Sequence, residues 1–484
     1  MLFFILSHFK MHIFSSLNIH SIVHAHCIIG ERGCMLKKVK LTGRIVSPVD
    51  LDYDEARTNN NLSLPKFPSK IVFCQRTKDV VNALRWVREN NEDFRIRSGR
   101  HSYENYSLIN HGLVIDVSEM NDITINLDYG TARIEAGANL GQVYRTLWEH
   151  GMTIPGGTES SVGIVGLTLG GGIGMLSRPF GLTCDQLMEI EMVGASGHQG
   201  AELIRANRQM NSDLFWASCG GGGGNFGVVT ALTFKLHPIA EVSLFHISWD
   251  WDDFEIAFDA WQKWAPFTDE RLTSQIELKA KEVGEVVVQG IFVGAPSELK
   301  KLLRPLRKSG SPTDLWIKEV PYMKAVRFFD VPSGNQPALR KRSGSFIEKP
   351  FPHAAILTMK QFLANAPNSN ASIWHQSLRG AVSHIAPNRT AYYYRDALIA
   401  QEYITSWEQT QDEKENIQWV EDVRRTLSPF TMGDYVNFPD QSIENWPTAY
   451  YGRNFRRLRE VKTKYDPFNV FRFQQSIPPI RKWL

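Results

Sequence analysis

Apolar and polar positions recur with two different periods along this chain, and those periods place its elements. Ile71-Val-Phe-Cys74 is a short apolar run that reads as a buried strand. Val80, Val81, Leu84 and Val87 then fall at helical spacing, which predicts an amphipathic helix over 78–90. Phe94–Arg97 and Leu113–Val117 read as further strands, and Ala132–Ala136 alternates as a half-buried one. Leu140, Val143, Tyr144 and Leu147 put a helix directly after it. Ile190–Val193 is strand-like, and Phe226–Phe234 is a long β-rich segment that ends before His237-Pro238. The first part of the chain is therefore an α+β unit of strand–helix–strand segments with long turns.

Beyond Pro238 the texture changes. Residues 242–251, 275–279, 286–293 and 390–403 read as strands of an antiparallel sheet, separated by helical stretches at 252–267, 296–307 and 405–426. Within 390–403, alternation puts Tyr394, Asp396, Ala400 and Glu402 on one face. Phe455, Leu458, Val461 and Tyr465 mark a terminal helix stopped by Asp466-Pro467. No pattern interpretable as a substrate determinant is visible over 310–390, and no internal repeat appears.

A chain of 484 residues exceeds one ordinary core, so two substantial lobes are expected. Its 54 basic and 51 acidic residues nearly cancel, which gives no electrostatic case for a nucleic-acid or membrane partner. Cys27, Cys34, Cys74, Cys184 and Cys219 are scattered without CxxC or Cys/His ligand spacing, so neither a disulfide framework nor a metal site is expected. The opening Met1-Leu-Phe-Phe-Ile-Leu6 run is broken by polar residues before it reaches spanning length. It also lacks a basic start, so residues 1–35 read as an extension outside the fold, with a cryptic export signal as the rival. Few cysteines and the poor signal point to the cytoplasm.

The chemistry concentrates in glycine. Residues 155–174 and 219–229 are two glycine-dense segments, able to bring backbone N–H groups close to a ligand. No Gly-Lys-Ser/Thr of a P-loop is present, and no strand–GxGxxG–helix context with an acidic ribose partner supports a nicotinamide dinucleotide fold. Each run taken alone reads more readily as turns than as a cofactor cradle.

Together with Arg97-Ser-Gly-Arg-His101, these segments resemble the berberine bridge enzyme-like flavoproteins of the vanillyl-alcohol oxidase superfamily. Gly157-x-x-x-x-Val-Gly-x-x-Gly166, Gly170-Gly-Gly-x-Gly174, Arg178-x-x-Gly-Leu-x-x-Asp185, Asp213-Leu-Phe-Trp216 and Gly222-Gly-Gly-Asn-Phe-Gly-Val-Val229 carry the pattern. Tyr435-Val-Asn-Phe-Pro-Asp440, Tyr450-Tyr-Gly-x-Asn454 and Lys464-Tyr-Asp-Pro-Phe-Asn469 extend it to the C-terminus, in family order over about 40–480. The resemblance implies an α+β protein with a PCMH-type, two-subdomain FAD-binding lobe (36–238), a second α+β substrate lobe on an antiparallel sheet (239–427), and a C-terminal element (428–484) packing on the FAD lobe. It implies FAD contacts from Arg97, Ser98, Gly99, Arg100, His101 and Ser102, from Gly157, Val162, Gly163, Gly166, Gly170, Gly171, Gly172 and Gly174, and from Gly224, Asn225, Gly227, Val228 and Val229. Tyr450 and Asn454 complete that set.

His101 matches the residue that bonds the flavin 8α-methyl group in this family; read from the residue alone, a turn histidine bonded to backbone is the better reading, and the surrounding motif favours the linkage. Two departures stand out: Arg100 where the family has glycine, and Glu159 where bicovalent members have cysteine. A carboxylate forms no thioether, so FAD attached through His101 only is expected. Val162 matches the position facing the oxygen-reactive flavin carbon, and its small side chain implies an oxidase that makes hydrogen peroxide.

Flavin-dependent alcohol oxidation also needs a base beside the substrate carbon. By resemblance Glu402 and Tyr435 hold the catalytic positions, with Glu402 assisting the tyrosine, whose ordinary pKa of ~10 is too high for a base at neutral pH. The bland readings are a solvated strand glutamate and a core tyrosine. The function so implied is oxidation of an alcohol on a sugar-like or secondary-metabolite substrate, with O2 as acceptor. The alternatives are a dehydrogenase using another acceptor, or a flavin-binding structural or coat protein with vestigial activity.

Overall fold

Leu113-Val-Ile-Asp116 is buried along its whole length, as a strand covered on both faces must be. The structure, a computed structural model, describes residues 39–195 and 200–480. In it this strand pairs in parallel with Lys70–Phe73 on one side and Phe94–Arg97 on the other, and Arg44–Val46 adds an antiparallel edge. Helix Thr77–Glu89 makes the crossover and buries Val80, Ala83, Leu84 and Val87. A second sheet is antiparallel throughout, in the order Ile123–Asn126, Thr131–Glu135, Val228–Lys235, Leu187–Gly194, Glu202–Asn207. Helix Leu140–Trp148 follows, its first turn capped by the Asn139 side chain accepting from the Gln142 N–H at 2.8 Å.

A third sheet has seven antiparallel strands, in the order Asp314–Pro321, Glu241–Asp250, Glu285–Phe292, Leu272–Lys279, Ser372–Ser377, Ile399–Trp407, Leu339–Ile347. Its two faces differ in chemistry because side chains alternate. Ile276, Leu278, Ile373, Ile399 and Tyr403 enter one core with residues of helices Phe254–Trp264, His353–Ala364 and Glu413–Leu427. The intervening Gln275, Glu277, Trp374, Gln376 and Glu402 occupy the opposite face, toward a cavity.

Two segments depart from the periodicity reading. The strand expected over 390–403 begins only at Ile399, and residues 391–398 are irregular. Tyr394 and Asp396 therefore share no strand face with Glu402. Tyr394 instead donates to the Ala449 carbonyl at 2.6 Å, and the tyrosine-rich run packs as a buried loop. Residues 405–407, expected to open a helix, are still strand, and the helix starts at Glu413. The stretch 310–390 holds three of the seven strands and helices Tyr322–Phe329 and His353–Ala364. The extension expected over residues 1–35 lies outside the described residues, which begin at Val39. Among the described residues no helix is long and apolar enough to cross a membrane.

One buried cation ties three distant segments together. Lys341 Nζ donates to Glu104 Oε1 at 2.9 Å and to Asp440 Oδ1 at 2.8 Å, all three side chains being nearly inaccessible. Removing one member of such a group strands the opposite charges in a dry site. Lys341→Met is expected to destabilise the fold by about 3–5 kcal/mol, visible as a lowered melting temperature; an unchanged melting temperature would show the cluster to be solvated.

Candidate active site

The polar face of the seven-stranded sheet, both glycine-dense segments and the C-terminal strip enclose one cavity of about 930 Å³. That lies near the upper end of the ~300–1,000 Å³ typical of ligand sites. The turn carrying His101 meets the first glycine segment at a point where no side chain fits. A Cβ on Gly99 would lie 2.1 Å from the Gly163 nitrogen, and one on Gly163 2.7 Å from the Gly99 nitrogen. This contact brings His101 beside residues 159–161.

Arg100, immediately before it, sits at φ +61°. That is the left-handed region a glycine enters freely and other residues enter at a cost of about 1–2 kcal/mol. Arg100 holds this conformation although it carries a side chain. His101 Nε2 lies 2.7 Å from Ser161 Oγ, while Nδ1 has no hydrogen-bond partner and is 3.6 Å from a Glu159 carboxylate oxygen. Burial lowers the imidazole pKa to about 4, against a smaller opposing pull from Glu159, so the ring is neutral at pH 7.

Across the cavity Arg342 is held among two carboxylates and a phenol. It donates to Glu159 Oε1 at 3.2 Å, to Glu402 Oε1 at 3.5 Å and to Tyr103 Oη at 2.9 Å. Burial raises both carboxyl pKa values, but the outcomes diverge. At Glu159 burial is the largest single effect, but the charge and hydrogen bond of Arg342 together with His101 and Arg340 outweigh it, and the net shift is downward. At Glu402 burial prevails over Arg342, the nearby Glu159 charge adds to it, and the pKa rises to about 7. Two carboxyls pushed apart in this way divide into a fixed anion and a group able to exchange a proton near neutrality.

Tyr435 stands elsewhere on the wall. Its Oη accepts from the Gly172 N–H at 2.9 Å and from Asn437 Nδ2 at 3.0 Å. Burial pushes its pKa above the ordinary phenol value, against those two donors. The expected pairing of Glu402 with Tyr435 is not what the structure holds: the tyrosine beside Glu402 and Arg342 is Tyr103, because strand Leu339–Ile347 carries Arg342 between them. Tyr435 packs edge-on to Phe438, and Tyr103 stacks on the same ring.

Of the residues expected to touch a cofactor, Ser98 through Ser102, Gly157, Val162, Gly163, Gly166, Gly174, Gly224, Asn225, Gly227, Val229 and Tyr450 line the cavity, as do Glu402 and Tyr435. Arg97, Gly170, Gly171, Gly172, Val228 and Asn454 do not. Arg97 is buried against Asp116 at 2.5 Å, and Asn454 donates to the carbonyls of Pro387 and Thr390. A Cβ on Gly170, Gly171 or Gly172 would strike Asn437, Tyr392 or Thr183, so these glycines admit protein neighbours. Sequence reasoning passed over Tyr103, Ser161, Asn335, Arg342 and Trp374. Strand geometry alone sets Arg340 and Arg342 on one face of Leu339–Ile347 and Lys341 on the other, but charge on both faces hides that strand in the sequence.

An α+β chain with an open glycine cradle, a seven-stranded antiparallel sheet and a neutral cavity histidine defines a flavin-binding oxidoreductase scaffold. Residues 68–199 match the FAD binding domain family model, and residues 434–478 match the berberine and berberine-like model. The chain is 60% identical to the uncharacterised FAD-linked oxidoreductase YgaK of Bacillus subtilis (strain 168), over 93% of this chain and 100% of that protein. Its structure resembles wild-type BBE-like 1 of Physcomitrella patens, with TM-score 0.85 and 27% identity over 91% of this chain and 98% of that one. It also resembles a chitooligosaccharide oxidase, with TM-score 0.81 and 27% identity, covering 91% of this chain and 98% of that chain. The protein belongs to the berberine bridge enzyme-like family of FAD-linked oxidoreductases.

The residues present fit FAD. Gly166 faces open space at the cavity wall, and Gly223 meets only Leu169 at 3.9 Å, so both leave room that a side chain would fill. Gly166→Leu is expected to weaken FAD binding by about tenfold or more, read as lost visible absorbance per protein at an unchanged melting profile of the flavin-free fraction. Full flavin content in that variant would place the cofactor elsewhere.

Proposed function

We propose that this protein oxidises an alcohol carbon of a polyhydroxylated, sugar-like substrate, holding FAD through His101 alone and passing electrons to O2. The observation that carries the reading is Glu402: a buried carboxyl on the cavity wall with its pKa raised to about 7. Residues 36–238 and 428–484 are assigned to the cofactor and 239–427 to the substrate. When bound, FAD supplies a two-electron acceptor for the hydride leaving the substrate carbon. Glu402, ionised, takes the hydroxyl proton and becomes neutral, and Arg342 holds the carboxylate in place before it does so. Both lone pairs of Tyr435 are occupied by N–H donors, so its own hydrogen is left to orient the substrate oxygen.

The sheet face supports a hydroxyl-rich substrate. Gln289, Gln275 and Gln376 lie in register across three strands, and Glu277, Trp374 and Glu402 form the next row. One half-buried indole among amides and carboxylates offers stacking area and alternating donors and acceptors. The resemblance to a chitooligosaccharide oxidase agrees with this choice. No cysteine stands at Glu159, so a single tether is the reading.

Screening sugars and simple alcohols for peroxide release in air tests the substrate class and the acceptor together. Because Glu402 acts only when ionised, kcat/KM should climb with pH up to about 7 and then level. Glu402→Gln should lower kcat by roughly 10²–10⁴-fold and abolish that limb while keeping its flavin; a variant that retains the limb would remove Glu402 from the role. Acid precipitation should give a yellow pellet from the natural protein and a colourless one from His101→Ala. Dye reduction without oxygen but no peroxide in air would make the protein a dehydrogenase.

A further inference from the structure

A chain of hydrogen bonds behind His101 determines which ring nitrogen carries the proton. It begins at Asp330 Oδ1, which accepts from Asn335 Nδ2 at 2.7 Å and from the Ser160 N–H at 3.0 Å. A carboxylate accepts only, so the Asn335 amide must turn its nitrogen toward Asp330 and its oxygen the other way. That oxygen, Oδ1, lies 3.0 Å from the Ser161 N–H and 2.7 Å from Ser161 Oγ. Two oxygens at 2.7 Å need a hydrogen between them, and the amide oxygen has none to give. The Ser161 hydroxyl hydrogen is thereby committed to Asn335.

Ser161 Oγ can then only accept from the imidazole, 2.7 Å away at Nε2. The Nε2–H tautomer follows, and it leaves Nδ1 a bare lone pair. Nδ1 is the ring atom without a hydrogen-bond partner, on a residue that lines the cavity. The opposite tautomer would put a buried N–H on Nδ1 with only Glu159 nearby, at 3.6 Å and beyond hydrogen-bond reach.

We infer that Ser161 and Asn335 are positioning residues for covalent cofactor attachment, holding His101 as the Nε2–H tautomer so that Nδ1 is the nitrogen that bonds the flavin ring methyl. This rests on the reading of His101 as the tether. In the attachment a C–N bond forms from the Nδ1 lone pair to the 8α carbon and one C–H bond of that methyl breaks. The methyl proton leaves to solvent water, and the electron pair of the broken bond reduces the flavin ring, which O2 returns to its oxidised state with formation of peroxide. The imidazole becomes a cation that still carries Nε2–H, and the Glu159 carboxylate 3.6 Å away offsets its charge. Burial keeps the free imidazole neutral at pH 7, so no proton has to leave before Nδ1 reacts.

The location of Asn335 gives the arrangement a further consequence. Asn335 and Asp330 belong to the segment after helix Tyr322–Phe329, whereas His101 and Ser161 lie in the first third of the chain. Gly334 of the same segment packs so closely on Glu159 that a Cβ there would lie 2.3 Å from Oε1. Attachment at its full rate therefore depends on the contacts that the segment around Asn335 makes with Ser161 and Glu159.

The test measures covalent flavin rather than turnover. Full-length natural protein, Ser161→Ala, Ser161→Thr and Asn335→Leu are purified from riboflavin-limited cells and given FAD in air. Covalent incorporation is followed by the yellow acid pellet and by intact-protein mass, and total bound FAD by visible absorbance. Ser161→Ala and Asn335→Leu should incorporate at least about tenfold more slowly, a shift of about 1.4 kcal/mol in the barrier, while still binding FAD noncovalently. Ser161→Thr, which keeps the hydroxyl, should recover most of the rate. In ¹⁵N-histidine-labelled flavopeptide the bonded nitrogen should be Nδ1. Wild-type rates in Ser161→Ala and Asn335→Leu, a bond at Nε2, or loss of all FAD binding in the serine variants would overturn the inference alone. A colourless pellet from the natural protein would overturn it together with the tether.

Discussion

A single buried guanidinium organises the reactive part of this molecule. Arg342 reaches Glu159 from the glycine-rich segment, Tyr103 from the turn after His101, and Glu402 from its own sheet. Two carboxylates at unequal distances from one buried cation do not share its charge equally. Glu159 keeps the anion and Glu402 is left with a proton affinity near neutrality. The carboxylate at 159 thus serves electrostatics where a thiol would have served attachment, and its charge also faces His101.

That arrangement depends on how the seven-stranded sheet divides its two faces. The aliphatic and aromatic face is consumed by helix packing, with Trp261, Ile276 and Tyr403 fully buried. The other face is polar where the cavity lies against it, and apolar at Val242, Leu244 and Ile291, where a smaller core packs on it. Its next layer is structural: Lys341 points the opposite way from Arg340 and Arg342, into a closed cluster with Glu104 and Asp440. Adjacent residues on one strand thereby hold the fold and build the site.

Much of the first half was legible from periodicity. The strands at 70–73, 94–97 and 113–116 and the helices at 77–89 and 140–148 lie within one or two residues of their apolar patterns, because each packs one or both of its regular faces on a core. The glycine segments and the His101 turn were also readable, through motif order rather than any one motif. Less could be seen beyond residue 310, where strands such as Leu339–Ile347 carry charge on both faces and so lack the alternation that marks a half-buried strand. The tyrosine run at 392–394 looked like strand because its residues suit a strand, yet tertiary contacts bury it as a loop.

The chain by itself determined the class of protein, the glycine-rich segments and the turn that carries His101, the absence of cysteine at 159 and the candidate glutamate and tyrosine. These are local or order-dependent properties, written in residue identity and spacing. Only the tertiary structure decided which groups face one another: Tyr103 rather than Tyr435 beside Glu402, and Asn335 behind Ser161, 174 residues away along the chain. Proton affinity and tautomer follow from burial and from partners within hydrogen-bond reach, and neither exists until distant segments pack together.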